Sequence, residues 1–249
     1  MSLNQTPSRV SVEIDRKSLK RQDEFVTTTR SLLQDVASQW RVVVLAGIFL
    51  LAIGVGLTLW SNQREARDEK ARTALYQART SLGKELKVAI PEKDASHKKL
   101  NVDQQLGGSV KKLKAIQEAY PGTRASYEAS LSLGDLYFNH GEFAKATPWY
   151  ETSIKGASGN FEKALSYLSL GYSYENQSLF KEAIENFEKA LGLGEEALKG
   201  DLLMAVSRTY EGLGDIGKAL ATYEKVLAQL PNTEFSKSAE IFKAKLRQN

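Results

Sequence analysis

The sequence predicts an all-α protein: a single transmembrane helix followed by a solenoid of paired helices. Three observations carry that prediction. The run from Val42 to Trp60 is 19 residues long and holds no charge. Three consecutive 34-residue stretches, 127–160, 164–197 and 200–233, repeat one pattern of glycines, alanines and aromatics. With 42% apolar residues, the 249-residue chain is too apolar for a disordered protein.

Composition removes several classes of function. There is no cysteine, so a disulfide framework, a thiolate metal site and a thiol nucleophile are all excluded. The net charge of +4 suggests an anionic partner, but the charge is segregated. Residues 1–41 carry 7 basic and 5 acidic groups, and residues 61–126 carry 14 and 8. Residues 127–233 reverse the balance with 9 and 15, and 234–249 carry 4 and 2. A nucleic-acid binder places positive charge on its folded surface; here the repeats are acidic.

Val42–Trp60 reads VVVLAGIFLLAIGVGLTLW, with 12 Val, Ile, Leu or Phe residues. At about 1.5 Å per residue it matches a hydrocarbon core of about 30 Å. Trp40 and Trp60 bracket it, where indole rings favour the headgroup zone. The run begins 41 residues in and has no small-residue cleavage site after it, which predicts an anchor with residues 1–41 retained. Charge leaves the orientation open. Arg64, Arg67, Lys70, Arg72 and Arg79 follow the span, while Arg30, Arg41 and the cluster Arg16, Lys17, Lys20 and Arg21 precede it.

Before the span, Phe25, Thr29, Leu32, Leu33, Val36 and Trp40 recur at helical spacing. Two readings remain open there, an interfacial helix or a continuation of the span. Ala52 with Gly56, and Gly54 with Thr58, form small-xxx-small pairs that allow two spans to pack as a homodimer.

The repeats have a mechanical logic. The first holds Leu133, Gly134, Tyr137, Gly141, Phe143, Ala146 and Tyr150. The second holds Tyr167, Leu170, Gly171, Tyr174, Phe180, Ala183, Phe187 and Ala190. The third holds Ser207 at the small position, then Tyr210, Gly214, Ile216, Ala219, Tyr223 and Pro231. Gly134 and Gly171 allow helix A and helix B of a repeat to approach closely, and Gly141 and Gly214 suit the turn between them. Ala146, Ala183 and Ala219 are small contacts at the helix crossing. This pattern is similar to tetratricopeptide repeats (TPR).

The flanks continue it. Leu106, Ser109, Leu113, Ile116 and Pro121 follow helix B spacing, so 104–123 reads as half a repeat whose helix A is 66–88. Residues 61–103 are therefore a juxtamembrane helix and an exposed loop, Ile90 to Asn101. Phe235, Ala239, Phe242 and Leu246 form a stripe suited to a terminal cap over 234–247. The predicted domains are 1–41, 42–60, 61–103 and a TPR domain at 104–249.

No catalytic, metal or cofactor constellation emerges. His97 and His140 have no second ligand at metal spacing, and phosphate-cradling glycine motifs are absent. Glu182, Glu185 and Glu188 recur at i, i+3 as a solvated helix face does. Lys98–Lys99 and Lys111–Lys112 read as solvent-facing charges.

Binding is then the expected activity. In TPR proteins, helix A positions 2, 5, 9, 12 and 13 face a concave groove. Carried over, the resemblance assigns Glu128, Leu131, Asp135, Phe138 and Asn139 in repeat 1. It assigns Leu165, Leu168, Tyr172, Glu175 and Asn176 in repeat 2, and Asp201, Met204, Arg208, Glu211 and Gly212 in repeat 3. Leu131 and Asp135 stand where receptors of chaperone C-terminal tails carry Lys and Asn, which argues against carboxylate capture. An apolar groove with an acidic rim favours a segment with apolar anchors and positive charge. The competing expectation is that the chain's own C-terminal helix or a second copy fills it.

The layout of tail, span, juxtamembrane helix and TPR domain resembles the YfgM-like proteins of bacterial inner membranes. The most specific local match is Trp60 to Gln63 (WSNQ) through Ala71 to Ala78 (ARTALYQA). That resemblance implies an accessory subunit of the SecYEG translocon, with a cytoplasmic N-terminus and a periplasmic TPR domain. It also implies a periplasmic chaperone or unfolded secreted segments as partners, lipid contact through 42–60, and no nucleic acid. Ala119–Thr123 (AYPGT) and Leu230–Thr233 (LPNT) also resemble Tol–Pal-associated and outer-membrane assembly proteins, which implies an envelope-assembly or division scaffold as the alternative.

Overall fold

Apolar runs without a glycine or proline break between them fuse into one helix, α1 (Trp40–Ala89), of 50 residues. The computed structural model describes residues 40–89 and 100–248. The tail with its stripe at 25–39, His97 and most of the loop lie outside the described residues. The chain divides into two compact units at Gln63 and Arg64.

In the first unit, the described large apolar side chains from Trp40 to Trp60, Val43 not among them, are 43–71% exposed. A core helix would bury one stripe; this segment buries none and is long and apolar enough to cross a membrane. Thr58 donates its hydroxyl to the Val55 carbonyl at 2.8 Å, so its polar group is satisfied within its own helix.

In the second unit α1 continues as a helix A, burying Ala71, Leu75 and Ala78. Opposite lie α2 (Val102–Gln105) and α3 (Gly107–Ala119), which meet at a kink at Leu106, fully buried. The Glu85 carboxylate on α1 accepts from the Ser109 amide at 3.2 Å, capping α3 from across the hairpin. The loop expectation needs one correction. Leu100 near its end is buried while Asn101 is exposed, because Leu100 and Val102, the first residue of α2, are apolar side chains inside a polar run that insert into the core.

Three helical hairpins follow: α4 (Arg124–Asn139) with α5 (Phe143–Gly156), α6 (Asn160–Asn176) with α7 (Phe180–Leu191), and α8 (Glu196–Leu213) with α9 (Ile216–Gln229). Each helix packs on the next in sequence order. Each helix A starts upstream of its predicted repeat start, at Arg124, Asn160 and Glu196. Thr123 explains the first, since its hydroxyl accepts the Ser126 amide as an N-cap.

The close approaches are as the pattern requires. A Cβ at Gly134 would stand 2.5 Å from the Tyr150 ring, and one at Gly171 2.3 Å from the Phe187 ring. Ala146, Ala183 and Ala219 are fully buried. Gly141 and Gly214 turn at φ +76° and +82°, and repeat 2 adopts the same left-handed turn with Ser178 at φ 60°.

The C-terminal stripe forms α10 (Glu234–Leu246), held by a Thr233–Ser236 capping box. It packs on the last hairpin: Ala239 is buried with Leu203, Tyr223 and Val226, and Phe242 stacks on Tyr223 at 6.0 Å.

Candidate partner-binding groove

The helix A residues singled out above are joined by contacts between neighbouring repeats. Arg208 of α8 grips Glu175 of α6 with two bonds, 2.8 Å from Nε and 2.7 Å from Nη2. Thr209 donates its hydroxyl to the same carboxylate at 3.1 Å. The Arg208 guanidinium also lies 5.7 Å from the centre of the Tyr172 ring, which packs edge-on against Phe187. One arginine thus ties two adjacent helices A and covers an aromatic between them.

Repeat 1 uses different means. Glu128 is bridged by Arg79 of α1 at 3.0 Å and by Arg124 at 2.9 Å. Asp135 accepts from the Tyr150 hydroxyl at 2.9 Å. Phe138 packs edge-on against Phe143 at 5.1 Å. In repeat 3, Glu211 accepts from the Tyr223 hydroxyl. Asn176 donates to the Tyr172 carbonyl of its own helix at 2.9 Å.

Exposure separates lining from support. Asp135, Asn139, Asn176, Asp201, Arg208 and Gly212 are exposed. Glu128, Leu131, Phe138, Leu165, Tyr172, Glu175, Met204 and Glu211 are half-buried. Leu168 corrects the sequence expectation: it is 7% exposed and packs in the core with Phe187 and Leu202, so it supports the surface from beneath. The exposed positions also show that α10 does not fill this face; it packs against α8 and α9.

The electrostatics refine the acidic rim. Glu128 and Glu175 are matched by arginines, which leaves Asp135, Asp201 and Glu211 to carry the groove's negative potential. The surrounding walls displace water from Asp135 and raise its pKa, and the Tyr150 hydrogen bond opposes that rise. Tyr150 itself is pushed well above the ordinary phenol value by burial and by the carboxylate beside it. Its proton therefore stays on the hydroxyl and keeps pointing the carboxylate. The arrangement offers fixed anionic acceptors beside apolar patches and suits cationic, partly apolar chain segments.

Sequence reading missed Arg79, Thr209, Tyr150 and Tyr223. Tyr150 and Tyr223 carried a usable signal: both are tyrosine where repeat 2 has Phe187, and each meets a carboxylate on helix A of its own repeat, Asp135 and Glu211.

The profile of the family described as tetratricopeptide repeat matches residues 164–194 and 200–231. Two tetratricopeptide repeats lie there. Photosystem I assembly protein Ycf3 of Prochlorococcus marinus is 38% identical over 71 residues, covering 28% of this chain and 41% of that protein. Ycf3 of a Synechococcus species is 35% identical over the same length and shares. The chain thus spans less than half the length of these relatives. Among solved structures, the nearly identical TPR-like repeats of a Podosopora anserina kinesin light chain superpose with a TM-score of 0.52 at 13% identity. That match covers 73% of this chain and 86% of the other, and at such identity it shows the fold alone.

Proposed function

We propose that this chain is a membrane-anchored TPR scaffold whose helix A groove holds segments of partner proteins. The observation that carries the reading is a face held rigid by the Arg208–Glu175 and Tyr150–Asp135 contacts yet left uncovered by α10. It acts by binding and needs no cofactor. The exposed apolar helix from Trp40 to Trp60 supports anchoring.

The resemblance to YfgM-like proteins supports a finer assignment. In it the chain is an accessory SecYEG subunit of a bacterial inner membrane, with its N-terminus cytoplasmic and its repeats periplasmic. There it links the translocon to a periplasmic chaperone or to emerging secreted segments. A second reading is a scaffold for envelope assembly or division, and it draws on the two Ycf3 proteins, which are named as photosystem I assembly proteins.

In-cell photocrosslinking from Asp201 with mass spectrometry of the adducts tests both. Asp201 is exposed, whereas a probe at Tyr172 would break its contact with Phe187. SecY or a periplasmic chaperone in the adducts supports the first reading. Tol–Pal or outer-membrane assembly proteins support the second, and only cytoplasmic adducts contradict the orientation.

A further inference from the structure

A cavity of about 270 Å³ opens on the helix B side, between α7, α8 and α9. Leu191, Leu203 and Val206 form its apolar lining, and Glu188, Tyr210, Lys218, Thr222 and Lys225 carry its polar groups. Two positions in register with its lining carry the chain's own rings one and two repeats earlier. In repeat 2 the ring is Tyr167 of α6, with Lys189 Nζ of α7 5.9 Å from its centre. Between the half repeat and repeat 1 it is Trp149, with Lys114 Nζ 5.4 Å from its centre.

Repeat 3 keeps the lysine and lacks the ring. Counting from the repeat starts, Leu203 takes the position of Tyr167, Thr222 that of Trp149, and Lys225 that of Lys189. Lys225 is exposed, with no ion pair among the described residues, whereas Lys218 pairs with Asp215 at 3.2 Å and lies 5.3 Å from the Tyr210 ring. An apolar cavity of about 150 Å³ accepts a benzene ring, so 270 Å³ has room for a phenol or an indole.

We propose that this pocket binds one tyrosine or tryptophan side chain of a partner peptide whose flanking carboxylates meet Lys218 and Lys225. The ring takes the place that Tyr167 and Trp149 fill upstream, under the cation of Lys225. Glu188, also in the lining, offers an acceptor for an indole N–H or a phenol O–H, which favours those rings over a phenyl. The partner's acidic flanks complement the two lysines and would be repelled by the acidic groove on the other face. The pocket is a site separate from the groove, so either proposal can fail alone.

The test uses the full chain in nanodiscs of zwitterionic lipid and a fluorescein-labelled peptide, Asp-Glu-Gly-Trp-Gly-Glu-Asp, read by fluorescence anisotropy. Saturable binding is expected, weakened about tenfold or more when alanine replaces the peptide's tryptophan. Leu203→Tyr, which puts a ring at the position of Tyr167, should abolish binding, and because Leu203 is buried its melting temperature is read alongside. Lys225→Glu, on the surface, should weaken binding several-fold and keeps the test decisive if Leu203→Tyr fails to fold. No saturable binding, equal binding of the alanine peptide, or affinity unchanged in the variants would overturn the proposal.

Discussion

The Arg208 guanidinium on α8 and the Glu175 carboxylate on α6 form a two-bond clamp between neighbouring repeats, at 2.8 and 2.7 Å. The Arg208 side chain is 54% exposed and that of Glu175 only 13%. The arginine is thus screened by water while the carboxylate depends on its partners. Removing the arginine leaves Glu175 with Thr209 alone.

Arg208→Ala should therefore destabilise the repeats by about 0.5–1 kcal/mol, in the range of partly exposed ion pairs. For a domain of this size that lowers the melting temperature by about 1–4 °C. Thermal denaturation followed by circular dichroism checks it, and an unchanged Tm at low salt would refute the clamp.

Gly171→Ala would put a Cβ 2.3 Å from the Phe187 ring, which is fully buried between the helices of repeat 2. The expected cost is about 1–3 kcal/mol from overpacking. Trimming the ring in Gly171→Ala/Phe187→Leu should recover part of that loss, a coupling that a double-mutant cycle measures. A Cβ at Gly54 would meet nothing within 4 Å, so Gly54→Ala carries no such overpacking cost.

Acid sensitivity should divide two aspartates. Lys145, and then Tyr137, hydrogen-bond to Asp103 and hold its pKa below the ordinary 3.8. A depressed carboxylate adds stability above its unfolded pKa and loses it as pH falls through the folded value. Asp103→Asn should thus lower the Tm at pH 7, with the deficit closing below about pH 4. Asp135 is raised, so its charge opposes folding once ionised. Asp135→Asn should not destabilise the protein at pH 7, since its amide oxygen still accepts from Tyr150. Tm against pH for both variants decides the signs.

Ser109 sits fully buried on α3, and its hydroxyl has no hydrogen-bond partner among the described residues. Ser109→Ala should raise stability by about 1 kcal/mol by removing an unmatched polar group. Chemical denaturation reads this directly, and a loss of stability would show that the hydroxyl is satisfied in solution.

The repeats were legible in the sequence because Gly134, Gly171 and the alanines at the helix crossings are set by close packing, which tolerates little else. The apolar helix was legible because an uncharged run of 19 residues is visible in the sequence without any knowledge of packing. The continuity of α1 was not: Ser61, Asn62 and Gln63 are polar without being helix breakers, and composition alone reads as a boundary there. Leu100 and Val102 were hidden by their polar neighbours. In the groove, family positions found the surface but not its wiring. The pairing of Tyr150 with Asp135 joins residues 15 positions apart on two helices, and no local pattern announces such a bond. Leu168 was misplaced for a related reason, since helix position gives a direction and not the depth of the neighbouring ring.

The central claim is that partners lie in the helix A groove and are drawn by its unmatched carboxylates. Photocrosslinking from Asp201 in cells, compared between the native background and Asp135→Lys, tests it most directly. Asp135 is exposed on the same face, and reversing its charge should repel a cationic segment. The account predicts protein adducts from Asp201 whose yield falls several-fold in the Asp135→Lys background while the chain's own level holds. The same adducts at unchanged yield would contradict it.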